Sequence, residues 1–422
     1  MPGLFSRSIL RRFDCGLGDF ACTRSDARRG WYTSLVKHLV AMLVACASAT
    51  VLAQQAPAPS PDAQSPTPPA TSIPAAPAQD RPSFAEWLAQ LRAEALSKGI
   101  KPAIVEQALD GVTEPVQVVI ERDRSQAEIV LPLETYIARQ VTAERVRTGR
   151  EMMGRYTDTL VEVSRTYGVP VQIIGGIWGM ESNFGRFSGV RPTIAALATL
   201  AWDPRRGTYF RRELFDALRI LNDGDVDVPD LKGSWAGAMG QPQFMPSSYL
   251  QYATDFDGDG RRDIWATPAD VFASIANYLK GHGWSAGESW GREVRFSPEA
   301  ARHVASTIAH RTGSCSALRD MTVSMPLSEW RRLGAKTLGG ARVPKDDRKA
   351  SLVSGRSRYF LVYDNYDALL QYNCAHSYAL SVALLGDRLA APAAVAAKAN
   401  TRLAPRAPSR TSSSPHESRR TR

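Results

Sequence analysis

The stretch GGIWGMESNFGRFSG, residues 175 to 189, places the carboxyl of Glu181 among glycines, large apolar residues and an amide. No other acid occurs between Glu162 and Asp203. Apolar neighbours deny a carboxylate its hydration, which raises its pKa and lets it keep a proton near neutral pH. A proton held that way can be given to a leaving oxygen, the task of a general acid in glycoside cleavage. A plainer reading stays open, in which Glu181 is a helix-end glutamate that reaches solvent or caps a backbone amide.

A second block, GSWAGAMGQPQFMPSSYLQYATDFDGDGRRDIW (233–265), carries two further signals. Its first half is rich in glycine, small residues and amides. That composition suits a loop lining a groove, with Gln243 offering both a donor and an acceptor, although a well-packed structural turn would look the same. Its second half, DFDGDG, opens like a calcium loop. Asp255, Asp257 and Asp259 fall at alternating ligand positions, Gly260 takes the sharp turn, and the Arg261 carbonyl is the next ligand. Ala266 stands where a bidentate glutamate is usual, leaving Asp263 or Asp270 as substitutes. The alternative is an Asx-turn that only starts a helix.

Helices must position these groups. Ser83-Phe84-Ala85-Glu86 is a capping box, and Phe84, Trp87, Leu88 and Leu91 follow at helical spacing. The pattern predicts further helices over about 101–109, 132–147 and 149–167. Pro170 then opens a helix in which Ile174, Ile177, Trp178 and Glu181 share one face, so Glu181 extends an apolar stripe. Gly175, Gly176 and Gly179 cost helix propensity and imply close backbone packing. Two helices are expected over 193–222 around Asp203-Pro204, and another over 268–281. Short alternating stretches between 291 and 362 read as a small β-rich insert, after which helical periodicity returns over 364–388.

The chain has 422 residues and a net charge of +10. Residues 1–38 hold +4 of that excess and residues 398–422 hold +6, so the interior is neutral. A neutral interior is no polyanion-binding surface, and nucleic acid is not an expected partner. The apolar run from Leu39 to Ala53 follows basic residues and ends in a small-residue pattern, which reads as an export signal with cleavage after Ala53. Leu43-Val44-Ala45-Cys46 also fits a lipoprotein box, and membrane attachment would follow only from lipid on Cys46. Of five cysteines, Cys15, Cys22 and Cys46 lie in or before the signal, leaving Cys315 and Cys374 as a disulfide or as two buried thiols.

GIWGMESNFGR, GAMGQPQFMPSSY, DFDGDG, HGW (282–284) and YNCAHSYA (372–379) occur in that order. With these motifs the chain resembles the membrane-bound lytic murein transglycosylase B family over roughly residues 80–390, and its soluble secreted branch more closely. The resemblance implies a mainly α protein: a lysozyme-like helical core, an N-terminal helical region, and a small β-rich insert before the last core helix. The corresponding division is a signal region at 1–53, a Pro/Ala-rich linker at 54–81 and an N-terminal helical region at 82–165. The catalytic core follows at 166–290, the insert at 291–362, the final core helix at 363–390, and a basic tail at 391–422.

The same resemblance implies non-hydrolytic cleavage of the β-1,4 bond between N-acetylmuramic acid and N-acetylglucosamine in peptidoglycan, leaving 1,6-anhydro ends. Glu181 matches the sole catalytic acid/base of that family. Ser234, Gln243, Tyr209, Tyr372, Asn373 and Tyr378 match residues of the glycan groove, and Asp270 aligns best with the last calcium ligand. Calcium would be structural, with no cofactor for catalysis, and the protein is expected to be a periplasmic monomer acting on glycan strands. A lysozyme-type hydrolase and a glycan-binding scaffold without turnover remain the rivals.

Overall fold

The computed structural model describes residues 82–125 and 131–390; the segments expected to be the export signal and the Pro/Ala-rich linker, Cys46 and the basic tail lie outside them. The first helix, Phe84–Ser97, starts at a reciprocal cap: Ser83 Oγ accepts from the Glu86 amide at 3.3 Å, and Glu86 Oε2 accepts from the Ser83 amide at 2.8 Å. Pro102–Leu109 follows, then Gln117–Ser125, a short charged helix that the apolar spacing did not announce.

Two helices anticipated over 132–147 and 149–167 are three: Leu133–Gln140, Ala143–Arg155 and Thr157–Tyr167. The break falls at Val141-Thr142 because the Thr142 hydroxyl caps the Arg145 amide at 3.1 Å. Gly149, expected to open the second of those helices, lies inside Ala143–Arg155. A Cβ there would come within 2.4 Å of the Phe184 ring, so this glycine permits contact and does not end the helix.

Val171–Ser182 lies at the centre, with Ile174, Ile177 and Trp178 at most 1% exposed. It packs against the last helix, His376–Leu389. The helices approach closely because Gly176 has no side chain; a Cβ there would lie 2.6 Å from the Val382 carbonyl oxygen. Thr193–Trp202 and Gly207–Asp223 pack on each other, and Pro246–Tyr252 and Pro268–Gly281 complete the main helical body. A short antiparallel ribbon joins β1 (Arg191–Pro192) to β2 (Lys232–Gly233), with Arg191 opposite Gly233.

Residues 291–362 form a five-stranded antiparallel sheet of β3 (Gly291–Arg295), β4 (Met325–Pro326), β5 (Lys336–Thr337), β6 (Lys349–Ser354) and β7 (Tyr359–Val362). The strand order is β4-β6-β7-β3-β5. Three helices, Pro298–Thr307, Ser316–Asp320 and Leu327–Arg332, interrupt it. The sheet has its own small core around Val294, Val304, Trp330 and Leu361. After it, the single helix expected over 364–388 is split into Asn365–Tyr372 and His376–Leu389. Asn373 and Ala375 are extended, at φ −152° and −146°, although the apolar periodicity runs through them.

Candidate active site

Glu181 occupies the last turn of Val171–Ser182. The three residues after the helix ends at Ser182 all take left-handed backbone: Asn183 at φ 50°, Phe184 at 61° and Gly185 at 78°. Two non-glycine residues in that region cost free energy, and such strain gathers at functional sites. Its structural effect is to bury Phe184 edge-on against Trp178, with ring centroids 5.5 Å apart. Trp178 is thus a core residue, and its indole N–H donates to Gln241 Oε1 at 2.7 Å.

Glu181 keeps partial exposure as a residue, but its carboxyl is largely shielded from water. Desolvation pushes its pKa up to about 7, against the smaller opposing effect of a hydrogen bond from the Tyr378 phenol to Oε1. Tyr372 stacks beside Tyr378, with ring centroids 6.3 Å apart and planes inclined by 16°. Burial first, and the nearby Glu181 charge second, raise the pKa of both phenols well above the ordinary tyrosine value. Tyr136, from the helix Leu133–Gln140, is the third phenol within electrostatic reach of Glu181, and its pKa is raised for the same reasons. No second carboxylate acts on Glu181 among the described residues; burial and Tyr378 are the influences on it.

The structure therefore brings Glu181, Tyr372 and Tyr378 together from the predicted set. Tyr372 donates to the Pro242 carbonyl at 2.7 Å, which ties it to the loop holding Gln243. Gln243 has a left-handed backbone (φ 55°), and its Nε2 donates to the carbonyls of Gly240 at 2.8 Å and Ser188 at 3.3 Å. Ser234 Oγ accepts from the amides of Ala236 and Ala238 at 3.2 and 3.1 Å. Both side chains are thus engaged in holding the loop. Tyr209 stands on Gly207–Asp223, 38% exposed, with its pKa pushed up to about 12 by burial and by Glu213. Asn373 is exposed in the linker between the last two helices, and the next residue, Cys374, is joined by a disulfide to Cys315.

Three participants carried no sequence signal of their own. Tyr136 sits in a helix without a motif. Arg145 donates to the Gln140 carbonyl at 2.8 Å and to Met180 Sδ at 3.8 Å, which brings a guanidinium beside the glutamate helix. Gln241 bridges Trp178 to the Trp265 carbonyl, which Nε2 reaches at 2.8 Å. The paired amides of QPQ were the only hint, and the reading from sequence chose Gln243.

The carboxylates of Asp255, Asp257 and Asp259 converge, with one ligand oxygen from each lying within 4.8 Å of the others. Asp255 accepts from the amides of Gly258 and Gly260 at 2.7 and 2.9 Å, which winds the loop around the cluster. An all-oxygen donor set of this kind fits a hard cation such as calcium. Asp270 is fully buried, and its two oxygens accept from the amides of Phe256 at 2.7 Å and Asp263 at 2.8 Å. Desolvation raises its pKa to about 6, and the nearby charges of Asp257 and Asp255 add to that. It braces both ends of the loop and is not one of the three converging carboxylates.

Comparison with known proteins gives the family of the chain. The profile of the transglycosylase SLT domain family matches residues 83–387. Membrane-bound lytic murein transglycosylase B of Escherichia coli is 46% identical over 154 residues, 36% of this chain and 42% of the relative, so the match spans less than half of that relative's length. SltB3 of Pseudomonas aeruginosa, solved in complex with NAG-NAM-pentapeptide and with NAG-anhNAM-pentapeptide, is 40% identical. That match covers 73% of this chain and 79% of SltB3, with a TM-score of 0.66. Escherichia coli Slt35, solved in complex with calcium, is 30% identical over 72% of this chain and 92% of its own, with a TM-score of 0.59. The chain belongs to the transglycosylase SLT domain family, whose solved relatives are lytic transglycosylases with a lysozyme-like helical core.

Proposed function

We propose that this chain is a lytic murein transglycosylase that cleaves the β-1,4 bond between N-acetylmuramic acid and N-acetylglucosamine with Glu181 as its one acid/base. The observation that carries the assignment is a desolvated carboxyl beside the phenols of Tyr378, Tyr372 and Tyr136, with no carboxylate acting on it among the described residues. Glycoside hydrolysis ordinarily uses two carboxyl groups, one to protonate the leaving oxygen and one to attack or to activate water. A lone carboxyl completes the cycle when the substrate supplies the nucleophile.

Glu181 as the acid gives its proton to the glycosidic oxygen as the bond to C1 of the muramic acid breaks. The N-acetyl group of the same sugar stabilises the cationic C1. Glu181, now a carboxylate held by the Tyr378 hydroxyl, takes the proton from the C6 hydroxyl as that oxygen closes on C1. The product is a 1,6-anhydro ring, and Glu181 is protonated again. Desolvation favours the acid form at the start, and the Tyr378 hydrogen bond supports the carboxylate between the two transfers.

Ser234, Gln243, Tyr209, Tyr372 and Asn373 are the proposed groove residues. Gln243 is tethered to Ser188 just beyond the glutamate helix, and Tyr372 is tethered to Pro242, so both act on groove shape as well as on sugar. Asp255, Asp257, Asp259 and the Arg261 carbonyl would hold a structural calcium, which supplies charge neutralisation to the loop and takes no part in the chemistry. The basic and apolar segment ending at Ala53 supports delivery to the periplasm, where peptidoglycan is found.

The test is to incubate the purified protein with peptidoglycan and identify the sugar termini by mass spectrometry. Anhydro ends, lighter than reducing ends by one water, are expected from the wild type and absent with Glu181→Gln. Reducing ends would identify a hydrolase, and unchanged strands a binding protein.

A further inference from the structure

Glu213 is a buried acid that the proton transfers at Glu181 do not use. It stands on Gly207–Asp223, is 3% exposed, and meets hydrogen-bond donors and no ion pair among the described residues. Oε1 accepts from the Ser247 hydroxyl at 2.8 Å and Oε2 from the Ser247 amide at 2.9 Å, in the first turn of Pro246–Tyr252. A third donor comes from one turn back on its own helix, the hydrogen-bonded phenol of Tyr209. Burial and Glu213 push the Tyr209 pKa up to about 12, so the phenol keeps its proton and gives it to the carboxyl. A phenol oxygen has one proton and two lone pairs. With that proton committed to Glu213, only acceptor capacity remains for a ligand.

Tyr209 is also coupled to the active site. It is 38% exposed, and its hydroxyl lies within electrostatic reach of Tyr278. The Tyr278 hydroxyl donates to the Gln371 carbonyl at 2.7 Å, and its ring centroid is 4.7 Å from that of Tyr372. Tyr372 in turn feels the charge of Glu181. The phenols thus form a connected series from Tyr209 to the proton donor. Phe244, three residues before Ser247, packs 5.5 Å from Tyr278, so the segment that Glu213 anchors belongs to the same aromatic wall.

We infer that Glu213 is a positioning residue for glycan recognition: it holds the Tyr209 proton inward, so that Tyr209 meets the strand as an acceptor and selects a sugar hydroxyl or acetamido N–H. The inference rests on the transglycosylase reading with Tyr209 in the groove, and adds the polarity of that contact and its cause. A carbonyl or carboxylate in the same place would face lone pairs and be rejected. Glu213→Gln exposes the mechanism because the amide has one oxygen for three donors. The Ser247 amide has no other acceptor there, so Tyr209 loses its claim and its proton turns free.

The test measures KM and kcat on peptide-free glycan strands for the wild type, Glu213→Gln, Tyr209→Phe and the double variant. Each single substitution is expected to raise KM by about tenfold, the scale of one hydrogen bond, with kcat moved less. The double variant should show no rise beyond that of Tyr209→Phe. A Glu213→Gln effect that persists in full without Tyr209 would overturn the inference, since the carboxyl would then act through Ser247 alone. Ser247→Ala removes a donor from the same carboxyl without touching Tyr209, and is expected to lower the melting temperature and leave KM unchanged; a KM rise equal to that of Glu213→Gln counts against the inference. Should Glu213→Gln fail to fold, Tyr209→Phe still decides, because an unchanged KM there contradicts the proposed contact. Calorimetric binding of the strands to Glu181→Gln carrying the same substitutions reads recognition without turnover. A protein that makes no anhydro ends therefore sinks the reaction assignment, while the affinities still decide the role of Glu213.

Discussion

Tyr378, near the start of the last helix, donates its phenolic proton to Oε1 of Glu181, at the end of the central helix, across 197 positions of chain. The bond opposes burial: desolvation favours the protonated acid, whereas the phenol favours the carboxylate. Glu181 must hold both states in one turnover, so the balance between these effects sets the rate. Replacing Tyr378 with Phe removes only the hydrogen bond. The Glu181 pKa then rises from about 7, and the alkaline limb of the pH–rate profile moves upward. The carboxylate also loses its donor between the two proton transfers, which is expected to lower kcat about tenfold or more at neutral pH. A pH–kcat profile of Tyr378→Phe checks both signs, and an alkaline limb moved downward contradicts the assigned role.

The same shift makes stability depend on pH in a stated direction. Folded Glu181 titrates near 7 and the unfolded side chain near 4.5, so the native state holds an extra proton between those values. Stability therefore falls as pH rises through that window and is flat beyond it. The slope amounts to about 2 kcal/mol after allowing for partial exposure of the residue. Glu181→Gln abolishes that component, so its stability gain over the wild type should be small near pH 4 and near its full size at pH 8. Urea unfolding of both proteins across the range measures it, and a difference independent of pH would show that the carboxyl is not desolvated.

Much of this site is written locally. The spacing of Ile174, Ile177, Trp178 and Glu181 puts an acid on an apolar stripe, and the glycines beside it report close packing before any fold is drawn. Tyr136 lacks such a signature because its proximity to Glu181 is purely tertiary, created when Leu133–Gln140 packs on the last helix. The break at Asn373–Ala375 is equally silent, since apolar residues continue at helical spacing on both sides and the disulfide partner of Cys374, Cys315, lies far off in the insert. Ser234 and Gln243 show the converse limit. Their motif is legible, but composition does not tell whether an amide faces a sugar or, as in the folded loop, the backbone carbonyls of Gly240 and Ser188.

Calcium should act on stability and leave the chemistry alone. Three carboxylate oxygens within 4.8 Å of one another repel, and a bound cation reverses that cost. Saturating calcium at about a hundred times its dissociation constant would add about 2.7 kcal/mol to unfolding. The expectation is a melting temperature that rises with calcium and falls on chelation, and Asp255→Ala, Asp259→Ala removes the response. Strands cleaved at unchanged kcat by the chelated but folded protein would agree with a structural role, whereas a loss of kcat without unfolding would contradict it.

The disulfide between Cys315 and Cys374 ties the insert to the linker that separates Tyr372 from Tyr378. It closes a loop with a sequence separation of 59, and cross-links of that span add about 2–4 kcal/mol by restricting the unfolded chain. Cys315→Ser, Cys374→Ser should lower the unfolding free energy by that amount. A second consequence follows from position: Asn373 and Ala375 are extended about a bend at Cys374 and are exposed or half-buried, so without the bond the linker keeps the Ala375 amide to Asn373 carbonyl hydrogen bond at 2.7 Å and its two helix ends as restraints. Looser placement of Tyr378 weakens its hold on Glu181, so kcat should fall by more than KM changes, and the alkaline limb should move upward as with Tyr378→Phe. Urea unfolding and pH–rate profiles of the double variant separate the two effects. A protein that loses stability but keeps the wild-type profile would show that packing of His376–Leu389 on Val171–Ser182 fixes Tyr378 unaided.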